Sequence, residues 1–244
     1  MQMVEPEGIV AVVGPGRMGT QVAKALSRNS PLIYGRSPTP TWDLAQMVGG
    51  WATCQLETLA MASKIFLVLP PRETVPFVQQ LVPHLRQPTL LVNLATDVMT
   101  KDIREAIGDP PVLVELAAVK IVGAAPSLEQ GIEALIVVDA ESEDTAKMLA
   151  EMMNEFGLVM FGKEEVVSRA NVLTTQQVLR ACRNISKTLE AEGVPPAIIK
   201  TVIKSVGAGI AHVYATGRLG TMSRRILEDL EREEQEAKKT QTGG

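Results

Sequence analysis

The apolar run at residues 9–13 ends directly in Gly14-Pro15-Gly16-Arg17-Met18-Gly19, and this junction constrains the chain more than any other stretch. It couples a buried strand to a tight turn and a helix. The first glycine permits the turn, the second lets backbone approach a pyrophosphate, and the third lets the helix pack against the strand. The helix starts near Arg17, so its unpaired amides face the same point. A bare G-x-G-x-x-G recurs by chance, but here a β-favouring run precedes it, and Met18, Val22, Ala25 and Leu26 follow at helical spacing. The turn is expected to bind a dinucleotide through residues 14–19: Gly14, Pro15, Gly16, Arg17, Met18 and Gly19. The alternative is a strand-to-helix turn without a ligand.

Downstream, strand-like and helix-like segments alternate. Strands are expected at residues 32–34, near 52, and at 64–69, 89–94, 112–116, 134–138 and 158–161, with helices at 18–27, 43–48, 57–62, 73–85, 99–107 and 142–156. Such alternation implies an α/β architecture, a parallel sheet with helices on both faces. After Gly162 the strand-like runs stop and helical patterns cover residues 164–191, 195–215 and 221–237, broken at Gly193-Val194-Pro195-Pro196 and Gly217-Arg218-Leu219-Gly220. The expected organisation is a nucleotide-binding domain over residues 1–162, an all-α domain over 163–239 and a frayed tail at 240–244. A helical domain that small is marginal alone. Ile198, Ile199, Val202, Ile203, Val206 and Ile210, with Gly207 and Gly209 for close approach, suit a homodimer interface; the alternative is a monomer that folds this helix back on its own first domain.

Composition removes other classes. A net charge of -4 and 3% aromatic residues supply neither the basic field nor the stacking surfaces of a nucleic-acid binder. No apolar run reaches the roughly 20 residues that span a bilayer, and residues 1–8 carry acids where a signal peptide needs bases, so no membrane role and a cytoplasmic location are expected. Cys54, Cys182, His84 and His212 are isolated, which supports neither a disulfide framework nor a metal site.

The nucleotide is read about 20 positions past the first glycine, where an acid marks NAD and small or basic residues mark NADP. Tyr34-Gly35-Arg36-Ser37 stands there. Arg36 can pair with a 2'-phosphate and Ser37 can donate to it, so NADP (NADPH) is expected. Otherwise Arg36 is a solvated loop cation.

With these residues in view, the chain resembles the pyrroline-5-carboxylate reductases, within the broader group that includes coenzyme F420-dependent NADP oxidoreductases. Gly14 to Gly19 is similar to that family's GxGxMG. Ile65-Phe66-Leu67-Val68-Leu69-Pro70 resembles its strand and proline beside the nicotinamide, and Leu91-Val92-Asn93-Leu94-Ala95 with Val98 its next strand and turn. Gly131-Ile132-Glu133-Ala134-Leu135, Glu192-Gly193-Val194-Pro195 and Gly220-Thr221 follow in family order. The resemblance implies an N-terminal Rossmann-type doubly wound sheet, a C-terminal all-α dimerisation domain interlocked with a second subunit, and an active site between them. It implies that Leu69, Pro70, Pro71 and Ala95 border the cofactor and that hydride passes to a small C=N or carbonyl substrate, catalysis resting mostly on positioning.

Three segments depart from the family pattern, all on the substrate side. The Pro-Asn-Thr-Pro motif is replaced around residues 119–126, Ser-Gly-Ser-Gly-Pro corresponds to Asn171-Val172-Leu173-Thr174-Thr175, and the stretch between Tyr214 and Gly220 is shortened. The candidate catalytic residues are therefore Lys120, Thr174, Thr175 and Thr221. A Lys120 ammonium can attract a carboxylate or protonate a nascent amine if burial lowers its pKa, although a lysine near a strand end usually projects to solvent. Glu115 is expected to be structural, with orientation of Lys120 as the alternative. The threonines offer hydroxyl donors, or cap helices as helix-starting residues. Three functions stay open: reduction of a small imine or carbonyl, hydride transfer between NADP and a deazaflavin, and a non-catalytic dimeric NADP-binding module.

Overall fold

The computed structural model describes residues 8–242 except 111, 124, 130 and 132, and without the side chains of 126, 127 and 240–242. The acidic N-terminal stretch at residues 1–7, Ala124 and Ile132 from the motifs above, and tail residues 243–244 lie outside the described residues.

Eight strands form one sheet: β1 (Ile9–Val13), β2 (Leu32–Tyr34), β3 (Trp51–Thr53), β4 (Ala62–Leu67), β5 (Thr89–Asn93), β6 (Val114–Val122), β7 (Ala134–Ala140) and β8 (Gly157–Phe161). Their order is β3-β2-β1-β4-β5-β6-β7-β8. The chain reverses its direction of travel across the sheet between β1 and β4, and a crevice opens beyond the carboxyl ends of those strands. The connecting helices are α1 (Arg17–Ala25), α2 (Pro38–Val48), α3 (Pro71–Leu81), α4 (Thr100–Ile107), α5 (Ala125–Glu129) and α6 (Glu143–Met153).

Both sheet faces are covered, which explains why the strands read as unbroken apolar runs. Val10, Val12, Phe66 and Val92 join one buried cluster, while the alternating Ala11, Val13, Ile65, Leu67 and Leu91 join the other. The segment at residues 57–62, expected as a helix, is a 3-10 turn over Leu56–Met61 running straight into β4.

One expectation needs correction. β7 runs antiparallel to β6, with Lys120 opposite Val137, so the sheet is only mostly parallel. A parallel crossover needs a dozen or more residues, usually an α-helix. Among the described residues of the connection at 123–133 the one helix is the five-residue α5, too little to carry the chain back across the sheet. α6 then supplies a full crossover, and β8 pairs parallel to β7.

Beyond β8 the chain is helical: α7 (Glu164–Ala191), α8 (Pro196–Thr201), a π-wound segment (Val202–Gly207), α9 (Ala208–Ala215) and α10 (Thr221–Thr242). The helix expected over 195–215 thus contains a π-wound stretch, and α10 continues past residue 237 through Thr242. The chain divides into two compact units between Thr174 and Thr175, inside α7. The first turns of α7 belong with the sheet because Asp139 of β7 accepts from the Glu164 amide at 3.0 Å and Asn171 donates to the Ile121 carbonyl at 2.8 Å. In the second unit Ile199 is the one buried side chain among the described residues. No described helix is long and apolar enough to cross a membrane.

The loop leaving β5 depends on one buried amide. Asn93 donates to the Val98 carbonyl at 2.7 Å and accepts from the Ala95 amide at 3.0 Å. Asn93→Asp replaces the donor with an acceptor facing that carbonyl, so a loss of about 1–3 kcal/mol is expected in denaturant unfolding. The new carboxyl would have a raised folded pKa, so the deficit against wild type should shrink as pH falls through it.

Candidate functional site

The junction read from the sequence forms the centre of the crevice. Gly14 has φ +103°, a left-handed conformation, and a Cβ there would lie 2.3 Å from the Val68 carbonyl oxygen. At Gly19 a Cβ would lie 1.8 Å from the Gly14 carbonyl oxygen, so only glycine lets α1 come this close to the turn. A Cβ on Gly16 would meet nothing within 4 Å. Gly16 is also the N-cap of α1 and supplies no side-chain cap, leaving the first helical amides open to a ligand.

Two clefts meet at this cradle, and Gly16, Val68, Leu69 and Pro70 line both. The outer one, about 450 Å³, is bordered by Gly14, Pro15, Arg36, Ser37 and Arg72, with the Tyr34 and Phe77 rings 5.4 Å apart in its wall. The inner one, about 310 Å³, is bordered by Met18, Gly19, Pro71, Ala95 and Lys120, and by Val167, Ser168 and Asn171 from α7. Gly16, with the open amino end of α1, thus stands where the two clefts join.

Arg17 turns away from both clefts and forms a two-pronged pair with Glu129 of α5, at 2.9 and 2.5 Å, so its contribution to the cradle is its backbone amide. Arg36 is exposed at the outer cleft and pairs with Glu73 of α3 at 2.5 Å. Ser37 precedes α2 as its N-cap, yet its hydroxyl makes no capping bond. Sequence reasoning missed Arg72 and Glu73, which the first turn of α3 brings opposite Arg36.

Lys120 departs furthest from the usual fate of a lysine near a strand end. It is 1% exposed. Its Nζ donates to the Ala95 carbonyl at 2.5 Å and the Val98 carbonyl at 2.9 Å, and lies 3.2 Å from Glu164 Oε2. Burial holds its pKa below the ordinary lysine value, while Glu164 pulls the other way. Glu164, 2% exposed, also accepts through Oε1 from the amide and hydroxyl of Thr100, both at 2.6 Å, at the amino end of α4. Glu115 does not orient Lys120; it accepts from the Thr145 hydroxyl at 2.5 Å. Glu164 carries no motif signal, since only the fold brings the first turn of α7 against β6.

Thr174 and Thr175 lie within α7 rather than at a helix start, and both are exposed; Thr221 is the first residue of α10 and is exposed. None of the three borders either cleft.

The site lies at the reversal point of a Rossmann-type sheet followed by a helical segment, and solved structures share that fold. Over 97% of this chain and 93% of the other, it superposes on a pyrroline-5-carboxylate reductase from Coxiella burnetii with a TM-score of 0.64 and 14% identity. A pyrroline carboxylate reductase from Plasmodium falciparum with NADP bound gives 0.59 at 14% identity, covering 95% of this chain and 92% of that one. An imine reductase from Myxococcus stipitatus, a variant in complex with NAD+, gives 0.57 at 16% identity over 87% and 78%. No protein-family model matches the sequence, and no match among curated proteins accompanies these structural ones.

Removing one member of the Lys120–Glu164 pair leaves a buried charge or an unmet partner, so Lys120→Met and Glu164→Gln are each expected to cost about 3–5 kcal/mol in unfolding experiments. The double variant should cost less than the sum of the two, with a coupling of about 0.5–3 kcal/mol. In Glu164→Gln the folded pKa of Lys120 falls further below its unfolded value. The penalty is then fully present below the folded pKa and fades as pH rises toward about 10.4, so the gap to wild type should narrow on the alkaline side.

Proposed function

We propose that the protein is an NADP(H)-dependent oxidoreductase that reduces a small imine or carbonyl compound and works as a homodimer. The observation that carries this reading is the open cradle at Gly16 joining two clefts, one lined by Arg36, Arg72 and Ser37 and the other by apolar side chains with a few polar groups. A bound reduced nicotinamide would supply a hydride to an electrophilic carbon, the balancing proton going to the attached nitrogen or oxygen. The chain's own part is positioning. The α1 amides and Gly16 hold the pyrophosphate, Arg36 and Arg72 neutralise a 2'-phosphate, and Leu69, Pro70, Pro71 and Ala95 shape the wall of the inner cleft. The solved reductases with NADP or NAD+ bound support a nicotinamide cofactor on this fold.

The deazaflavin reading has less support, because no aromatic side chain is among the described residues lining the inner cleft. Dimerisation is supported by the second unit taken alone: Ile198, Val206, Ile210, Tyr214, Met222 and Ile226 are exposed, a helical surface too apolar to stay uncovered. A second copy covers it most economically, by a symmetric contact.

In titrations followed by nicotinamide fluorescence, Arg36→Ala should weaken NADPH binding by about 10- to 100-fold and leave NADH binding nearly unchanged. Glu73→Gln, which frees Arg36 of its competing carboxylate, should tighten NADPH binding. Equal losses for both cofactors would rule out the 2'-phosphate role. Sedimentation equilibrium should give the mass of two chains, and Ile210→Asp should shift the population toward one; a monomeric wild type would remove the dimer from the proposal.

A further inference from the structure

Ser168 is 4% exposed, and its hydroxyl has no hydrogen-bond partner among the described residues. It borders the inner cleft. A buried hydroxyl left unpaired costs stability, so one kept at the wall of a cavity is a donor held for a ligand. Asn171, three residues on and on the same face of α7, also borders the cleft and is fixed by its bond to the Ile121 carbonyl.

The cleft's charge narrows what that ligand can be. Lys120 is the one charged side chain among the described residues lining it. Its Nζ donates to the Ala95 and Val98 carbonyls and forms an ion pair with Glu164 Oε2, which accepts no hydrogen bond among the described residues. The buried carboxylate of Glu164 balances the ammonium charge, so the cleft presents no net positive charge to a substrate carboxylate. Met18, Leu94, Ile121 and Val167 make much of the cleft's wall apolar, and Thr96 is its other hydroxyl.

Resting on the reading of this cleft as the nicotinamide end, we propose that Ser168, supported by Asn171, is the substrate's polar contact, and that the substrate presents a neutral C=O or C=N group and carries no carboxylate. The Ser168 hydroxyl donates to the oxygen or nitrogen of that group. The apolar wall takes the hydrocarbon remainder.

A matched pair of unreactive probes tests this on the full chain saturated with NADP+: pyrrolidin-2-one, and pyroglutamate, the same lactam bearing a carboxylate. NADP+ binding is titrated first, and its absence in wild type would overturn the cofactor reading itself and this inference with it. With NADP+ bound, ligand-detected NMR should show the lactam binding and the acid weaker by about tenfold or more. Ser168→Ala should weaken the lactam by about tenfold, as loss of a hydrogen bond implies, while NADP+ affinity stays the same and the melting temperature holds or rises. The inference is overturned if the acid binds as tightly as the lactam, if neither probe binds, or if Ser168→Ala leaves lactam binding unchanged.

Discussion

The ion pair of Lys120 with Glu164 ties together the parts of the molecule that shape the inner cleft. Lys120 comes from the middle of the sheet, Glu164 from the first turn of α7, and the carbonyls of Ala95 and Val98 from the loop between β5 and α4. Thr100 adds the amino end of α4 through two further bonds to Glu164. Taking both charges out of water is expensive, and only this dense set of partners offsets it. A smaller apolar pair would bury more cheaply, but it would leave the Ala95 carbonyl without its donor and the Val98 carbonyl with Asn93 alone. The pair therefore contributes geometry more than net stability: it sets the position of the loop and of α7 relative to β6.

The neighbouring cofactor cradle is held by a different kind of constraint. At Gly14 and Gly19 the limiting factor is backbone against backbone, with carbonyl oxygens standing where a Cβ would be. No charge is involved, and no side chain larger than hydrogen is accommodated without a shift. The clefts on either side of Gly16 are thus shaped in two ways, by steric exclusion along β1 and α1 and by buried polar bonds along β5, β6 and α7.

This difference explains what was legible in the sequence. Steric constraints are local, so Gly14 to Gly19 announced the turn, and the apolar runs announced β1, β4 and β5, within a few residues of where they lie. That Arg36 and Ser37 would stand beside the turn was legible for the same reason, a fixed distance along the chain from it. Glu164, Ser168 and Arg72 were not, because nothing in their own surroundings says which distant strand or loop they will face. Lys120 was singled out, but its two acceptors and its ion-pair partner became visible only once the loop after β5, the strand β6 and the helix α7 were brought together. The direction of β7 was misjudged because strand-like periodicity carries no sign; the brevity of the connection at residues 123–133 was the available signal. Thr174 and Thr175 were placed by spacing against a turn that this chain replaces with continuous helix.

The two clefts also differ in electrostatic character, and this bears on how a dinucleotide would be oriented. At about physiological ionic strength charges are screened over roughly 8 Å, so each end of a bound molecule responds to the groups beside it rather than to the net charge of the protein. The outer cleft presents Arg36 and Arg72 against one carboxylate, Glu73, and can hold a further anion. Away from Gly16, the inner cleft presents one ammonium already matched by Glu164 and so no unpaired cation for a phosphate. Had Lys120 been left unpaired, both ends would attract the phosphorylated half and the molecule could sit either way round. On the proposed reading, pairing Lys120 with Glu164 would remove that ambiguity, and the same pairing would disfavour a carboxylate on the substrate.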